Sequence, residues 1–120
     1  MKKILIVDDQ VLIRKLITLT LGTKYYIVEA SSTDEASLML EQEAPDLVVL
    51  DIMMPGTNGL EWLTMIKSNA KYSSLKIILL SAKGQSSDID LGLATGADAY
   101  VTKPFSPLDL ISKISTLCIE

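Results

Sequence analysis

The chain lacks histidine altogether and has a single cysteine, and each shortage excludes a class of chemistry. Without histidine there is no imidazole metal ligand, no histidine general base and no Ser–His catalytic pair. The one cysteine, Cys118, cannot form a disulfide within the chain, which favours a reducing, cytoplasmic setting. Any chemistry must therefore depend on carboxylates, hydroxyls, lysines or a bound cation.

Long apolar runs and an excess of positive charge are also missing. The first apolar run ends at Asp8 after four residues, whereas the core of an export signal needs about seven to fifteen. No run approaches the roughly eighteen apolar residues of a membrane span. The net charge of −4 argues against a nucleic-acid-binding surface on this domain. We expect a soluble cytoplasmic protein without direct membrane or nucleic-acid contacts.

The chain does contain four short apolar runs that each end on a polar residue. The runs cover residues 4–7, 47–50, 77–80 and 99–102. The polar residues that follow them are Asp8 and Asp9, Asp51, Ser81 and Lys103. Aliphatic runs without alternation predict parallel strands buried on both faces. Because ligands bind at the carboxyl ends of such strands, these side chains are expected to share one edge of a sheet.

Strand and helix signals alternate five times along the chain and predict one domain over residues 1–120. The predicted strands cover about residues 3–8, 25–29, 47–51, 76–80 and 99–102. The predicted helices cover about residues 10–21, 32–43, 60–69 and 86–94, with a last helix beginning at Pro107. This alternation predicts a single doubly wound α/β domain of the flavodoxin-like type. Its five-stranded parallel sheet would have the order 2-1-3-4-5, with helices on both faces.

Local signals place the helix ends and one loop. Asp9 is the expected N-cap of the first helix and Asn58 that of the third. Gly22 is expected to end the first helix, and Pro55-Gly56 predicts a loop before the third.

In the predicted order, Asp8, Asp9 and Asp51 share a crevice between adjacent strands. Two carboxylates 4 Å apart repel by about 4 kcal/mol at an effective dielectric constant near 20, so the site must bind a proton or a cation. Oxygen ligands without histidine or cysteine favour Mg²⁺, with Mn²⁺ as an alternative. A magnesium site beside a lysine and a hydroxyl suits phosphoryl transfer, and a carboxylate can itself accept the phosphoryl group. Asp51, alone at the end of the central strand, is the best candidate for that acceptor.

Four segments of the chain resemble the receiver domain of two-component response regulators. They are Ile4-Leu5-Ile6-Val7-Asp8-Asp9, Asp51-Ile52-Met53-Met54-Pro55-Gly56-x-x-Gly59, Ser81-Ala82 and Lys103-Pro104-Phe105. The resemblance covers almost the whole chain and implies that Asp51 accepts a phosphoryl group from a phosphohistidine. Because the chain has no histidine, the donor must be a separate histidine kinase or histidine phosphotransfer protein. The domain would assist its own phosphorylation and dephosphorylation without being an enzyme on other substrates.

The resemblance also implies a role for each site residue. Asp9 would bind Mg²⁺ directly, Asp8 would help through water, and Asp51 and the backbone carbonyl of Met53 would complete the metal site. The hydroxyl of Ser81 and the ammonium of Lys103 would each bind a phosphoryl oxygen.

A conformational switch is implied as well. Phosphorylation would draw Ser81 inward and let Tyr100 change between outward and inward positions. This change would remodel the surface made by the fourth helix, the fifth strand and the fifth helix. An output domain, a target protein or a second copy of the chain would bind there. Pro104 would follow Lys103 through a cis peptide bond.

Other interpretations compete with this one. A Mg²⁺-dependent aspartyl phosphatase typically has a second acid two residues after the nucleophile, where this chain has Met53. A flavodoxin-type module needs a hydroxyl- and glycine-rich loop after the first strand, which is missing. A non-phosphorylated docking module is less consistent with the complete acidic set. On the first helix, Arg14 and Lys15 form a basic spot that is either solvated or a kinase contact.

Overall fold

The computed structural model describes residues 1–54, 57–82 and 86–118, and within these ranges five helices alternate with the five strands of the main sheet. The strands are β1 (Lys3–Val7), β2 (Tyr26–Ala30), β3 (Leu47–Asp51), β4 (Lys76–Ala82) and β5 (Ala99–Lys103). The helices are α1 (Val11–Leu21), α2 (Thr33–Glu43), α3 (Gly59–Lys67), α4 (Ser86–Thr95) and α5 (Pro107–Leu117). A two-residue antiparallel ribbon pairs Met53–Met54 with Thr57–Asn58, and a 3₁₀ turn covers Ala70–Tyr72. The predicted turn at Pro55-Gly56 lies outside the described residues.

The main sheet is parallel throughout and has the order β2-β1-β3-β4-β5. The predicted fold class and strand order are therefore confirmed. In this order β1 and β3 are neighbours at the point where the chain reverses direction across the sheet. The carboxyl ends of adjacent strands meet there, which is where open α/β sheets bind ligands.

Two apolar layers cover the two faces of the sheet, which explains why the strands have continuous apolar runs instead of alternating apolar and polar residues. Leu5 and Val7 of β1 face the layer that includes α2 and α3 residues such as Leu40. Ile4 and Ile6 of the same strand face the layer that packs against α1 and α5. Because both faces are covered, the apolar residues 4–7, 47–50 and 77–80 are all fully buried.

The helix ends follow the predicted signals in most places. Asn58 caps α3, with its Oδ1 accepting from two backbone N–H groups, and Gly22 ends α1 with φ +63°. The predicted cap at Asp9 is wrong: the N-cap of α1 is Gln10, whose side chain makes no capping bond. The backbone N–H of Gln10 instead donates to Asp8 Oδ1 at 2.8 Å. The carboxylate of Asp9 is therefore not used as a cap.

Within the described ranges, no helix combines the length and the apolar character that crossing a bilayer requires.

Gly59 brings the start of α3 against the backbone that leaves β3. A Cβ atom at this position would lie 2.8 Å from Ile52 Cα and 3.0 Å from the Asp51 carbonyl oxygen. Both contacts are to backbone atoms, which cannot rotate away. Glycine is required because the first turn of α3 packs directly on the end of the central strand.

We predict that Gly59→Ala destabilises the fold by about 1–3 kcal/mol, because the added methyl overpacks a backbone contact. This loss should exceed the gain of up to about 1 kcal/mol from better helix propensity. Urea unfolding measures the difference. Thr64→Ala, at an exposed position of the same helix, is the control and should not lose stability, because it adds no atom to a packed contact. A Gly59→Ala variant as stable as the wild type would contradict the packing argument.

Candidate functional site

Three carboxylates converge at the carboxyl edge of the sheet. Asp8 follows β1 directly and Asp51 is the last residue of β3, so parallel pairing of these strands places the two side by side. One oxygen from each of Asp8, Asp9 and Asp51 lies within 4.8 Å of the others. Asp8 and Asp51 are buried, whereas Asp9 is exposed. The structure thus brings together the three acids that the sequence predicted at one edge.

Lys103 reaches this cluster from β5, on the far side of β4. Its Nζ lies 2.9 Å from Asp51 Oδ2 and 3.0 Å from Asp8 Oδ2. The contact with Asp51 is a directed hydrogen bond, whereas the contact with Asp8 is an ion pair whose angles fall outside hydrogen-bond geometry. One ammonium therefore bridges two buried carboxylates.

The two buried carboxylates are held in the same way. Asp8 Oδ1 accepts from the backbone N–H of Gln10, and Asp51 Oδ1 accepts from that of Met53 at 3.0 Å. Each acid thus uses one oxygen to fix the backbone N–H two residues further along the chain. Its other oxygen, Oδ2, is left facing Lys103.

Burial and charge shift the ionisation of this pair. Burial raises the pKa of Asp51, and the nearby charge of Asp8 adds to that rise. The bonds from the Met53 N–H and from Lys103 offset it only in part. For Lys103, burial acts to lower the pKa, but the hydrogen bond with Asp51 and the ion pair with Asp8 prevail and raise the pKa. The lysine is therefore firmly charged, and by formal charge it balances one of the two carboxylates that it contacts.

Ser81 supplies a buried hydroxyl on the neighbouring strand. It lies near the end of β4, which pairs with β3 through Asp51 and Leu80. Its side chain is fully buried, and its Oγ has no hydrogen-bond partner among the described residues. Burying an unpaired hydroxyl is costly, so this group is available to a ligand.

The remaining predicted residues surround this centre. Tyr100 on β5 is 41% exposed, and the Lys113 ammonium lies 5.8 Å from the centre of its ring. The peptide bond between Lys103 and Pro104 is cis, the isomer that the resemblance implies. Met53 follows β3 with an exposed side chain. Lys83, two residues after Ser81 in the sequence, lies outside the described residues.

The donor set fits a hard divalent cation. Three carboxylates and one ammonium leave a net charge of −2 at the edge of the sheet, and all the candidate ligands are oxygens. Oxygen-only coordination with few protein ligands is typical of Mg²⁺ and Mn²⁺ sites. Asp8, Asp9 and Asp51 are the residues that could hold such an ion.

Arg14 is a residue of this region whose contacts sequence reasoning missed. Its interpretation as part of a solvated basic spot is wrong, because its side chain is only 14% exposed and its Nη1 donates to the Asp8 carbonyl at 2.6 Å. Its neighbour Lys15 is 62% exposed, as a surface lysine should be. The sequence contained one sign of a partner for Arg14, namely Glu29, an acid near the end of an otherwise apolar edge strand.

Comparison with known proteins agrees with this geometry. A family model described as the response regulator receiver domain matches residues 4–115. The phosphate regulon transcriptional regulatory protein PhoB of Pseudomonas aeruginosa is 40% identical over 117 residues, which are 97% of this chain and 51% of that protein. The probable transcriptional regulator ycf27 of Guillardia theta is 45% identical over 94% of this chain and 44% of its own length. The chain thus spans about half the length of these curated relatives.

Solved structures show the same likeness. A putative response regulator from Chloroflexus aurantiacus superposes with a TM-score of 0.91 at 29% identity, covering 97% of this chain and 96% of that one. The receiver domain of the Francisella response regulator 1452 gives a TM-score of 0.86 at 30% identity, covering 98% of this chain and 96% of that one.

The raised pKa of Asp51 makes stability depend on pH. Without a divalent cation, the folded chain binds the Asp51 proton more tightly than the unfolded chain does. The wild type should therefore lose stability relative to Asp51→Asn as the pH rises from about 4, the ordinary pKa of aspartate. The raised pKa of Lys103 acts only above about pH 10 and stays outside this range. Urea unfolding of both proteins in EDTA between about pH 4 and 8 tests the sign. A difference that is constant, or that grows in favour of the wild type, would contradict the assignment.

Proposed function

The chain belongs to the response regulator receiver domain family, and from that premise we propose that residues 1–120 form a phosphorylatable receiver domain of a two-component phosphorelay. Its role is signal transduction, with Asp51 as the phosphoryl acceptor. The observation that carries this proposal is the position of Asp51 at the end of the central strand, paired with Lys103 and adjacent to two further acids. The donor is a phosphohistidine on a histidine kinase or histidine phosphotransfer protein.

In the proposed transfer, an oxygen of the Asp51 carboxylate attacks phosphorus. The new O–P bond forms as the P–N bond of the donor phosphohistidine breaks, and the donor imidazole keeps the electron pair and takes up a proton. Lys103, already 2.9 Å from Asp51 Oδ2, neutralises a phosphoryl oxygen. The unpaired hydroxyl of Ser81 donates a hydrogen bond to another.

Asp8, Asp9, Asp51 and the backbone carbonyl of Met53 would hold Mg²⁺, or Mn²⁺ in its place. When bound, the ion supplies positive charge that stabilises the phosphoryl oxygens during transfer. Asp9 is suited to direct coordination because its carboxylate is exposed and does not cap α1. For Asp8 the resemblance implies an indirect role through water, and its two oxygens contact the Gln10 N–H and Lys103.

The domain is proposed to act as a phosphoacceptor that assists its own phosphorylation and dephosphorylation. A phosphatase acting on external substrates is disfavoured because Met53, two residues after Asp51, brings an exposed thioether where a second acid would be needed. A docking module without phosphorylation would not require the complete set of three acids, a lysine and a buried hydroxyl.

The signal is proposed to leave the site through β4 and β5. Ser81 pairs in register with Thr102, and Tyr100 lies two residues earlier on the same strand. Movement of Ser81 toward a phosphoryl group would therefore act on the strand that carries Tyr100. The α4–β5–α5 surface, where Leu91 and Tyr100 are exposed, would then bind an output domain, a target protein or a second copy of the chain.

The curated relatives are about twice as long and are named as transcriptional regulators, so we propose that this domain controls an output module. The expectation that nucleic acid is not a partner is consequently not supported for a longer protein that contains this domain. It stays a prediction about the acidic surface of the domain itself. A cytoplasmic location also stays a prediction.

Asp51 should be the only site of phosphorylation. We expect incubation with Mg²⁺ and a small acyl phosphate to add one phosphoryl group, which intact-mass measurement detects. No phosphoryl group should be added when EDTA removes the Mg²⁺. Asp51→Asn should abolish this addition because the amide cannot form an acyl phosphate. Asp34→Asn, at an exposed position on α2, is the matched control and should be labelled like the wild type. Undiminished labelling of Asp51→Asn would reject the proposed acceptor.

Ser81→Ala should separate stability from phosphoryl recognition. Because the hydroxyl is buried without a partner among the described residues, its removal should leave the free energy of unfolding unchanged or slightly higher. Loss of a charge-assisted hydrogen bond should nevertheless weaken beryllofluoride binding about tenfold. Binding in Mg²⁺ is followed by the fluorescence of Trp62, the single tryptophan of the chain, which lies on α3. Ser81→Thr keeps the hydroxyl and should retain binding. Destabilisation with unchanged beryllofluoride affinity would argue that Ser81 is purely structural.

A further inference from the structure

Arg14 is a cationic side chain on the first helix that points inward. Its guanidinium makes two bonds, one from Nη1 to the Asp8 carbonyl at 2.6 Å and one from Nε to Glu29 Oε1 at 3.0 Å. Burial acts to raise the pKa of Glu29, but the bonds from Lys15 and Arg14 prevail and lower it, so this partner is ionised at neutral pH. The guanidinium is therefore fixed between α1 and the end of β2.

Two hydrogen bonds hold the backbone on the two sides of Asp8, and Arg14 makes one of them. The Asp8 N–H donates to the Ala30 carbonyl at 3.1 Å, and the Asp8 carbonyl accepts from Arg14. Glu29 and Ala30 are consecutive in β2, so one short segment of that strand anchors the whole loop. Because the peptide unit is planar, fixing the Asp8 carbonyl also fixes the direction in which the chain enters Asp9.

Asp9 depends on this arrangement more than the other two acids do. Asp8 and Asp51 each have a carboxylate oxygen bonded to a backbone N–H and another facing Lys103. The Asp9 carboxylate is exposed and makes no such bond with any residue the structure describes, although it lies within 4.8 Å of both. With no such bond among the described residues, the backbone is what fixes the direction of its Cα–Cβ bond and so the region that its carboxylate can reach.

We propose that Arg14 is a positioning residue for the divalent cation, acting through the Asp8 carbonyl to aim the Asp9 carboxylate at the metal site. This inference rests on the proposed function, which places the cation at Asp9. Glu29 takes part by orienting the guanidinium. The effect is geometric, because Arg14 contacts no carboxylate of the acidic cluster in the described part of the chain.

Geometry and electrostatics predict opposite effects of removing Arg14 on Mg²⁺ affinity. A cation close to a cation-binding site repels the incoming ion, so its charge alone would weaken binding. On that basis, removal of Arg14 should tighten Mg²⁺ binding. If Arg14 positions Asp9, its removal should loosen Mg²⁺ binding instead.

The experiment is a Mg²⁺ titration of the 120-residue chain by calorimetry, with Trp62 fluorescence as a second readout. Arg14→Gln should weaken Mg²⁺ affinity about tenfold, the lower end of the effect for residues that orient metal ligands. Lys15→Gln is the matched control: it removes the same charge from the adjacent position and another bond to Glu29, but it has no bond to Asp8. Its affinity should be unchanged or slightly tighter.

Two further variants test whether Glu29 and the guanidinium fork of Arg14 act together on Mg²⁺ affinity. Glu29→Gln should weaken Mg²⁺ binding in the same direction as Arg14→Gln, and the double variant should lose less than the sum because the two residues act as one unit. Arg14→Lys keeps the charge but not the fork of donors, so it should recover only part of the affinity. Free energies of unfolding measured in EDTA separate loss of folding from loss of metal affinity.

The outcomes are distinguishable. Unchanged or tighter Mg²⁺ binding by folded Arg14→Gln overturns the positioning role, as does an equal loss in Lys15→Gln. If Arg14→Gln does not fold, Arg14→Lys decides: wild-type affinity in that variant overturns the inference, and a partial loss supports it. A wild type that fails to bind Mg²⁺ at millimolar concentration overturns the metal site of the proposed function and, with it, this inference.

Discussion

The bridging of two buried carboxylates by one ammonium is the interaction on which the rest of this structure depends. Adjacent strands in a sheet lie about 4.8 Å apart, so acids that end β1 and β3 are forced close together. Asp8 and Asp51 each direct Oδ2 toward Lys103, which neutralises only one of the two charges. The site is therefore held together by a cation from the protein while it retains an excess of negative charge that a second cation can balance.

The scaffold keeps this repulsive arrangement in place because it lies at the end of a rigid core. The strands that carry Asp8, Asp51 and Ser81 are buried on both faces, and Gly59 packs α3 directly on the backbone after β3. A dense core resists small displacements, so repulsion at the edge cannot relax by spreading the strands. In the proposed function, the repulsion between the carboxylates is reduced instead by the bound cation and phosphoryl group and by movement of the more exposed β5.

Sequence reasoning succeeded where a local pattern has one physical cause. Unalternating aliphatic runs occur when both faces are covered, so β1, β3 and β4 were predicted within two residues of their observed ends. Asn58 was predicted as a cap because its short side chain can reach the first free N–H groups of a helix, as it does in α3. Asp9 failed as a cap because α1 begins one residue later than predicted: the Asp8 carboxylate holds the Gln10 N–H in a turn, and Gln10 becomes the N-cap residue. The prediction for Arg14 failed because its partners lie in the turn after β1 and on β2, and no local pattern reports contacts between elements.

The sequence by itself determined the fold class and the group of acids, lysine and hydroxyl at one edge, because strand-terminal residues of a parallel sheet must converge there. The predicted strand order rests on the common order of that fold type, and the tertiary structure confirms it. The sequence also shows that residues 1–120 contain no histidine, so none of the chemistry of this domain depends on an imidazole of its own. Only the tertiary structure decided how these groups share their bonds: Lys103 between Asp8 and Asp51, Ser81 buried without a partner among the described residues, and Arg14 turned inward onto the Asp8 carbonyl. Those details depend on distances between elements far apart in the chain, which are fixed only once the two apolar layers have packed against the sheet.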